Sequence, residues 1–230
     1  MSAFDWNWLF LLIQAAWVTL YVAGFSFILA VLIAILVVYG RLSSRPVLRR
    51  AAQAYVWILR GVPDLLIIYF FFFGGILFLS DISAFLDSAA IVPSPIITGI
   101  IAVGITSSAL LSEVFRGAVL AIDKIYIESA TAFGMTGRKL LTRIMIPLAL
   151  PTALPGIGNI WLTTLKASSL VSVVGVMEIL RQAQIAAGST RLPFIFYSIA
   201  ALLYMAVALA SSWWVGGWER RIAAKKGATQ

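Results

Sequence analysis

Long apolar runs alternate with short clusters of charged residues along this chain. No charged residue occurs between Asp5 and Arg41, a run of thirty-five residues. Because roughly 20 apolar residues in a helix cross the hydrocarbon core of a bilayer, this run predicts a first membrane-spanning helix. An acid and no cations precede it, which favours an uncleaved span over a signal peptide.

The same pattern predicts four further spans and an all-α, polytopic membrane fold. Their expected positions are Ala51–Leu79, about Ile91–Ser112, a segment starting near Pro151 to Pro155 and running to Met177, and a segment within Leu192–Trp218. The second is interrupted in its first half by Arg60, Gly61, Pro63 and Asp64. Because proline breaks helices, Pro147, Pro151 and Pro155 predict a broken surface segment leading into the fourth span.

The distribution of cations predicts the orientation. Thirteen of the seventeen cations follow spans one, three and five, and only two lie among the connections on the other side, Arg181 and Arg191. Connections rich in Lys and Arg remain in the cytoplasm. We therefore expect the N-terminus outside the membrane and the C-terminus in the cytoplasm.

Composition narrows the possible functions. With 62% hydrophobic and 11% charged residues, a soluble fold is excluded. The chain has no Cys and no His, so it cannot form disulfides, use a thiol nucleophile or bind a metal through imidazole. We therefore expect no cofactor and no metal. The net charge of +8 does not indicate a nucleic-acid partner, since the cations lie between apolar runs rather than on one face.

A polar stretch from Glu113 to Arg143 follows the third span and has the pattern of two short helices. Four residues fall near one face of the first: Ile125, Ser129, Ala130 and Phe133. Gly134 can adopt the positive φ that ends this helix, and Thr136 can cap a second helix beginning near Gly137. Two helices joined at a glycine hinge are therefore expected.

The spacing within this stretch resembles the EAA loop of ABC importer permeases, which reads Glu-Ala-Ala, three residues, Gly, nine residues, Ile-x-Leu-Pro. The matching positions here are Glu128, Ser129, Ala130, Gly134, Ile144, Ile146 and Pro147. Ser129 and Ile146 depart from the family residues without altering the spacing. In that family the loop is a coupling helix that docks into a cleft of a separate ATPase. The resemblance implies this role for Glu128, Ser129, Ala130, Phe133 and Gly134. The alternative is an amphipathic helix resting on lipid headgroups.

Other segments extend the resemblance over nearly the whole chain. Residues 59–66, 113–118, 128–134 and 153–175 are similar to the polar amino-acid permeases, in particular the histidine/lysine/arginine/ornithine and opine subunits. The resemblance implies one type-1-like transmembrane domain over residues 1–230, in a bacterial inner membrane. It implies three partners: a second, similar permease subunit in a heterodimer, a dimer of ATP-binding subunits, and a periplasmic solute-binding protein. No G-x-x-x-x-G-K-[ST] motif occurs, so ATP hydrolysis is expected on another subunit and no enzymatic activity on this one.

Polar residues within the spans indicate a candidate substrate path. Asn159, Thr163 and Lys166 follow spacings of four and three, which place them on one helical face. An ionisable group at membrane depth needs a partner or an aqueous cavity. One hypothesis is that these residues face a cavity with Glu113 and Ser108, where an amino acid binds. The alternative is an ion pair between Lys166 and Glu113 that holds two helices together.

Two further pairs have spacings that suit local contacts. Arg60 and Asp64 are four residues apart and are expected to pair while Pro63 bends the second span. Asp64 could instead attract a cationic substrate and belongs to the candidate path. Glu113 and Arg116 are three residues apart and suit a structural pair.

Three other functions remain open from the residues alone. A secondary transporter or channel would work without ATP, although few membrane carboxylates are available for a proton relay. An intramembrane enzyme would need a catalytic motif that the sequence lacks. A purely structural subunit would leave the substrate site in a partner permease.

Overall fold

The computed structural model describes residues 6–85 and 93–227. Every regular element within these two ranges is helical. The α-helices in chain order are α1 Trp6–Arg41, α2 Pro46–Gly61, α3 Asp64–Phe85, α4 Pro95–Leu120, α5 Lys124–Ala132, α6 Gly137–Leu140, α7 Ile146–Ala167, α8 Ile179–Thr190 and α9 Pro193–Gly227. A π-helical turn, Leu141–Met145, joins α6 to α7, and a 3₁₀ segment, Ser168–Val174, follows α7.

Five stretches are long and apolar enough to cross a membrane, which confirms the predicted number of spans. They are Trp6–Arg41, Asp64–Phe85, Pro95–Leu120, Gly137–Val174 and Pro193–Trp213. The helix α4 lies at the centre, where it contacts α1, α2, α3 and α7 and is buried over most of its length. The predicted beginning of the third span, Ile91, lies outside the described residues.

Small residues let the central helices approach closely, as they do in membrane bundles generally. A Cβ atom added to Gly156 of α7 would lie 2.5 Å from Cγ1 of Val114 on α4. A Cβ atom on Gly104 of α4 would lie 2.9 Å from Cδ2 of Leu29 on α1. Both distances are too short for a real contact, so glycine is required where α4 meets its two principal neighbours.

The second span differs from the prediction. Residues 51–61 belong to the separate amphipathic helix α2, and the membrane-length helix begins at Asp64. The chain is extended at Val62, with φ −99° and ψ 133°, because the residue before a proline avoids the helical region. Pro63 therefore separates two helices instead of bending one.

The fourth span also differs from the prediction. The helical stretch runs without interruption from Gly137 to Val174, 38 residues, rather than starting near Pro151 to Pro155. Pro147, Pro151 and Pro155 are spaced by four residues and lie along one side, so the missing N–H groups fall in one row. The π-helical turn immediately before Pro147 alters the hydrogen-bond register where the first of these donors is missing. At 1.5 Å per residue the stretch is about 57 Å long, well beyond a hydrocarbon core of about 30 Å.

We expect Gly156→Ala to destabilise the bundle, because its methyl group would overlap Val114. Overpacking of this kind costs about 1–3 kcal/mol. The apparent unfolding temperature of the purified protein in detergent measures the effect. Gly24→Ala is the matched control, since a Cβ atom at this membrane glycine has no neighbour within 4 Å. Equal unfolding temperatures for the two variants would contradict the close approach of α4 and α7.

Candidate functional site

The helix α5 is bounded by two local interactions that the sequence encodes. At its start the Asp123 carboxylate accepts a hydrogen bond from the Ile125 amide at 3.0 Å. At its end the Gly134 amide donates to the Thr131 carbonyl at 2.9 Å, and the Met135 amide donates to the Ala130 carbonyl at 3.0 Å. Gly134 has φ +77°, as predicted for the helix end. This pair of bonds sets the direction in which the chain leaves α5.

The second short helix begins where it was predicted, but it is not capped as predicted. Thr136 occupies the N-cap position of α6, and its side chain makes no capping hydrogen bond. Gly137, the first residue of α6, has φ +50°, which lies outside the right-handed helical region. The first turn therefore departs from the geometry in which Thr136 could cap it.

One face of α5 packs against the beginning of the fourth span. Ala130 is buried there. A largely apolar cavity of about 360 Å³ lies between the two elements, and Ser129, Ala130 and Phe133 contribute to its wall. The opposite wall is formed by residues of the π-helical turn and of α7: Arg143, Ile144, Pro147 and Leu148.

The rest of α5 is open to contact from outside the chain. Phe133 is 86% exposed, and Ile125 and Tyr126 are also exposed. Glu128 is exposed, and its carboxylate forms no ion pair with any residue in the described ranges. An acid beside three large apolar side chains gives α5 a surface that can bind another protein.

Glu113 lies in a cluster of arginines and not beside Lys166. Its carboxylate is 3.0 Å from Arg41 at the end of α1, 3.6 Å from Arg60 at the end of α2 and 3.3 Å from Arg116 on α4. The Arg41 side chain is only 5% exposed and also donates to Gln53 of α2 at 3.1 Å. These contacts connect three helices at one end of the bundle.

The cluster corrects two expectations and confirms a third. Arg60 pairs with Glu113 instead of Asp64, because the break at Val62 takes the two residues out of one helical register. The alternative of an ion pair between Lys166 and Glu113 is wrong, since the three bridges of Glu113 are all to arginines. The pair of Glu113 with Arg116 is present.

The structure separates the six candidate path residues into two groups. Asn159, Thr163 and Lys166 lie on the open side of α7, and the Lys166 ammonium forms no ion pair with any described residue. Ser108 is buried on α4, where its hydroxyl is 2.7 Å from that of Tyr55. The polar contacts of Ser108 and Glu113 described above are therefore with α1, α2 and α4, and not with the three α7 residues.

Asp64 begins the helix α3 and is exposed there. Ile67 and Ile68, three and four residues further along, pack in one apolar cluster with Ala167, the neighbour of Lys166. This cluster connects the first part of α3 to the end of α7.

Sequence reasoning did not identify Glu178 as a site residue. Its side chain is fully buried at the start of α8, where it accepts hydrogen bonds from the amides of Leu180 at 3.0 Å and Arg181 at 2.8 Å. The Tyr204 hydroxyl of α9 donates a third. Burial raises the pKa of the Glu178 carboxyl, and these donors oppose the rise. The signal available in the sequence was an acid immediately before a helical pattern.

A family profile matches most of this chain. The profile named "Binding-protein-dependent transport system inner membrane component" matches residues 26–224. The chain belongs to this family. The permease is therefore a transport component of an inner membrane, and the fold and family both agree with the resemblance drawn from the loop spacing.

Two curated relatives are similar over nearly their whole length. The octopine transport system permease protein OccQ of Rhizobium radiobacter is 42% identical over 206 residues, which cover 89% of this chain and 87% of that protein. The histidine/lysine/arginine/ornithine transport system permease protein HisQ of Salmonella typhimurium is 38% identical over 201 residues, covering 87% and 88%. Both are named as permease proteins of transport systems.

A solved structure shares the fold. The crystal structure of an amino acid ABC transporter with histidines contains a chain that is 27% identical to this one, with a TM-score of 0.78. The match covers 94% of this permease and 95% of that chain. Membership of a binding-protein-dependent, ATP-driven family leaves no support for an ATP-independent transporter or an intramembrane enzyme. The family works with an ATPase and a solute-binding protein.

We expect Glu113→Gln to destabilise the permease without involving the substrate. The change leaves buried Arg41 without its anionic partner. Breaking a fully buried pair costs about 3–5 kcal/mol, and since the Glu113 side chain is 28% exposed we expect about 1–3 kcal/mol after allowing for solvent screening. The apparent unfolding temperature should fall by several degrees.

The control is Glu128→Gln, which removes an exposed acid that has no ion pair among the described residues. Its unfolding temperature should equal that of the wild type. If Glu113→Gln were as stable as the control, the cluster would not hold α1, α2 and α4 together.

Proposed function

We propose that this chain is a permease subunit of an ATP-driven importer of amino acids, and that residues 128–134 transmit the movement of a separate ATPase to the membrane helices. The observation that carries the proposal is the EAA spacing on a helix that is packed on one face and open on the other. Ala130 faces the fourth span, and the exposed Glu128 lies on the opposite side of the helix, where it is available to a partner. This division is what a coupling element requires.

The substrate class is inferred from the relatives. Their names specify octopine in one case and histidine, lysine, arginine and ornithine in the other. Basic amino acids, histidine or opines are therefore the proposed cargo. These compounds carry a carboxylate together with nitrogen groups, so both an acid and a cation along the path are useful.

The proposed orientation places the N-terminus outside and the C-terminus in the cytoplasm. The end of α1, the Glu113 cluster and the start of α2 lie at the same end of the bundle, and α4 continues from there towards α5. The start of α1 lies at the other end, where Leu12 packs with Ile179 of α8 and Phe196 of α9. An ATPase would contact the first end and a solute-binding protein the second.

The proposed complex contains two permease subunits, a dimer of ATP-binding subunits and a solute-binding protein. The second permease is proposed to be similar to this chain but not identical. Residues 1–230 would contribute a single transmembrane domain, and ATP would be hydrolysed only on the ATPase. Closure of the ATPase dimer on ATP would move α5 and, with it, the fourth span.

Gly134→Val should uncouple transport from ATP hydrolysis, because a β-branched residue is strained at φ +77° and would alter the exit from α5. In proteoliposomes that contain the assembled transporter, ATP-driven uptake should fall at least about tenfold. A tenfold fall corresponds to a strain energy of about 1.4 kcal/mol at this position. Stimulation of the ATPase by the binding protein should fall with it.

Gly134→Asn is the matched control, since asparagine tolerates the left-handed region. Its uptake should remain near the wild-type rate. Wild-type uptake by an assembled Gly134→Val transporter would refute the coupling role of this segment.

The proposed path runs along the open side of α7, with Asn159, Thr163 and Lys166 as its polar residues. A lysine within a membrane-length helix needs water or an anionic partner, and this Lys166 has no ion pair within the described chain. The substrate carboxylate would provide one, and Asp64 would face a cationic group. Ser108 and Glu113 are proposed to support this path through packing rather than by contact with substrate.

Lys166→Gln should weaken substrate recognition while preserving assembly. Loss of one charge-assisted contact is worth about 1.5–3 kcal/mol, which corresponds to a rise in the KM for uptake of roughly 10- to 150-fold. Lys166→Arg retains the charge and should show a smaller change. Uptake kinetics for Lys166→Gln identical to those of the wild type would remove Lys166 from the path.

A further inference from the structure

Part of the surface of the amphipathic helix α2 is not covered by the residues that the structure describes. Its packed side is held by Gln53, which accepts from Arg41, and by Tyr55, which bonds to Ser108 and to the Ile105 carbonyl. Val56 on the same side is fully buried. These contacts leave about half of the helix circumference open.

One open side is apolar. Its residues follow spacings of four, three and four and are exposed in the structure: Val47, Ala51, Ala54 and Ile58. Residues at these spacings form a continuous stripe along a helix. Such a stripe beside the end of a membrane span suits the boundary between headgroups and acyl chains.

Two arginines and a tryptophan are also exposed on α2. Arg49 and Arg50 lie in its first half, where Arg50 is on the open surface and Arg49 is exposed although it is in line with the packed residues Gln53 and Val56. Trp57 lies to one side of the apolar stripe, in line with Arg50, and is 68% exposed. Tryptophan in this position is typical of the membrane interface. The helix contains no acid, and Arg49 and Arg50 form no ion pair with any acid in the described ranges.

Chain connectivity keeps α2 near the bilayer surface. The membrane span α1 ends at Arg41, and α2 begins at Pro46 after only four residues. Four extended residues reach at most about 14 Å, so the start of α2 stays close to the end of this span. Arg41 and Gln53 further restrict it.

We propose that α2 binds anionic phospholipids of the cytoplasmic leaflet, with Arg49 and Arg50 contacting their phosphate groups and Val47, Ile58 and Trp57 inserting beside the acyl chains. Because the helix is positively charged, it should bind a phospholipid with net negative charge in preference to a zwitterionic one. The location in the cytoplasmic leaflet rests on the proposed orientation. Contact with an anionic lipid does not depend on it.

Trp57 provides a direct probe of this contact. The assembled transporter is placed in nanodiscs of phosphatidylcholine that contain either brominated phosphatidylglycerol or brominated phosphatidylcholine, and the difference between wild type and Trp57→Phe isolates the Trp57 fluorescence. We expect brominated phosphatidylglycerol to quench Trp57 at a lower mole fraction than brominated phosphatidylcholine does. High salt should reduce this preference.

Charge variants test the role of the arginines. Arg49→Gln with Arg50→Gln should lower the preference for phosphatidylglycerol on the order of tenfold, whereas Arg49→Lys with Arg50→Lys should retain most of it. Arg191→Gln removes one cation from the opposite end of the bundle and should change nothing.

Equal quenching by the two brominated lipids, or a preference unaffected by Arg49→Gln with Arg50→Gln, would overturn the proposal. Absence of quenching by either lipid would show that protein covers α2 and would also overturn it. Uptake assays on the same samples separate this result from the proposed function. If the lipid preference is absent while ATP-driven uptake is intact, only the lipid site is refuted. If the lipid preference is present while ATP-driven uptake is absent, only the transport role is refuted.

Discussion

The contact between α5 and the first part of the fourth span is the interaction on which the proposed mechanism depends. A helical stretch of 38 residues is longer than the membrane requires, so part of it extends beyond the bilayer. Ala130 is small enough for α5 to lie against the first part of this stretch, and Gly134 turns the chain so that α6 leads directly into it. A force applied to the open side of α5 would reach the membrane through a continuous helix rather than through a loop.

Electrostatics distinguish the two ends of the bundle. At the end that holds Arg41, three arginines share the single carboxylate of Glu113, which leaves an excess of positive charge. At the other end, Glu178 is fully buried and is stabilised by two amides and the Tyr204 hydroxyl. Each carboxylate connects its own helix to at least one other helix, and so each restricts how the bundle can move.

Much of the fold could be predicted because it depends on local properties of the sequence. Five spans could be predicted because hydropathy and length are local, and the end of α5 could be predicted because only glycine readily adopts φ +77° there. Pro63 indicated an irregularity in the second span. Whether a proline bends one helix or separates two depends on packing, so the break at Val62 was not predicted. Pro147, Pro151 and Pro155 gave the wrong expectation, because a row of missing donors can be tolerated on one side of a helix.

The candidate site was harder to predict because it depends on which helix faces which. Asn159, Thr163 and Lys166 share a side by spacing alone. Their relation to Ser108 and Glu113 required tertiary contacts, and Arg41, more than 70 positions before Glu113, had no local signal as its partner. Glu178 was not predicted because its partner Tyr204 lies 26 residues away, on another helix.

The central claim is that α5 and the fourth span move as one body. Because the chain has no cysteine, spin labels can be attached at Thr131→Cys on α5 and Thr152→Cys on α7, both exposed positions. Electron–electron double resonance then gives the distance between the labels in the assembled transporter without nucleotide and with ATP bound. The account predicts one narrow distance distribution that is the same in both states. A shift or a broadening on ATP binding would show that α5 moves independently of the fourth span and would contradict it.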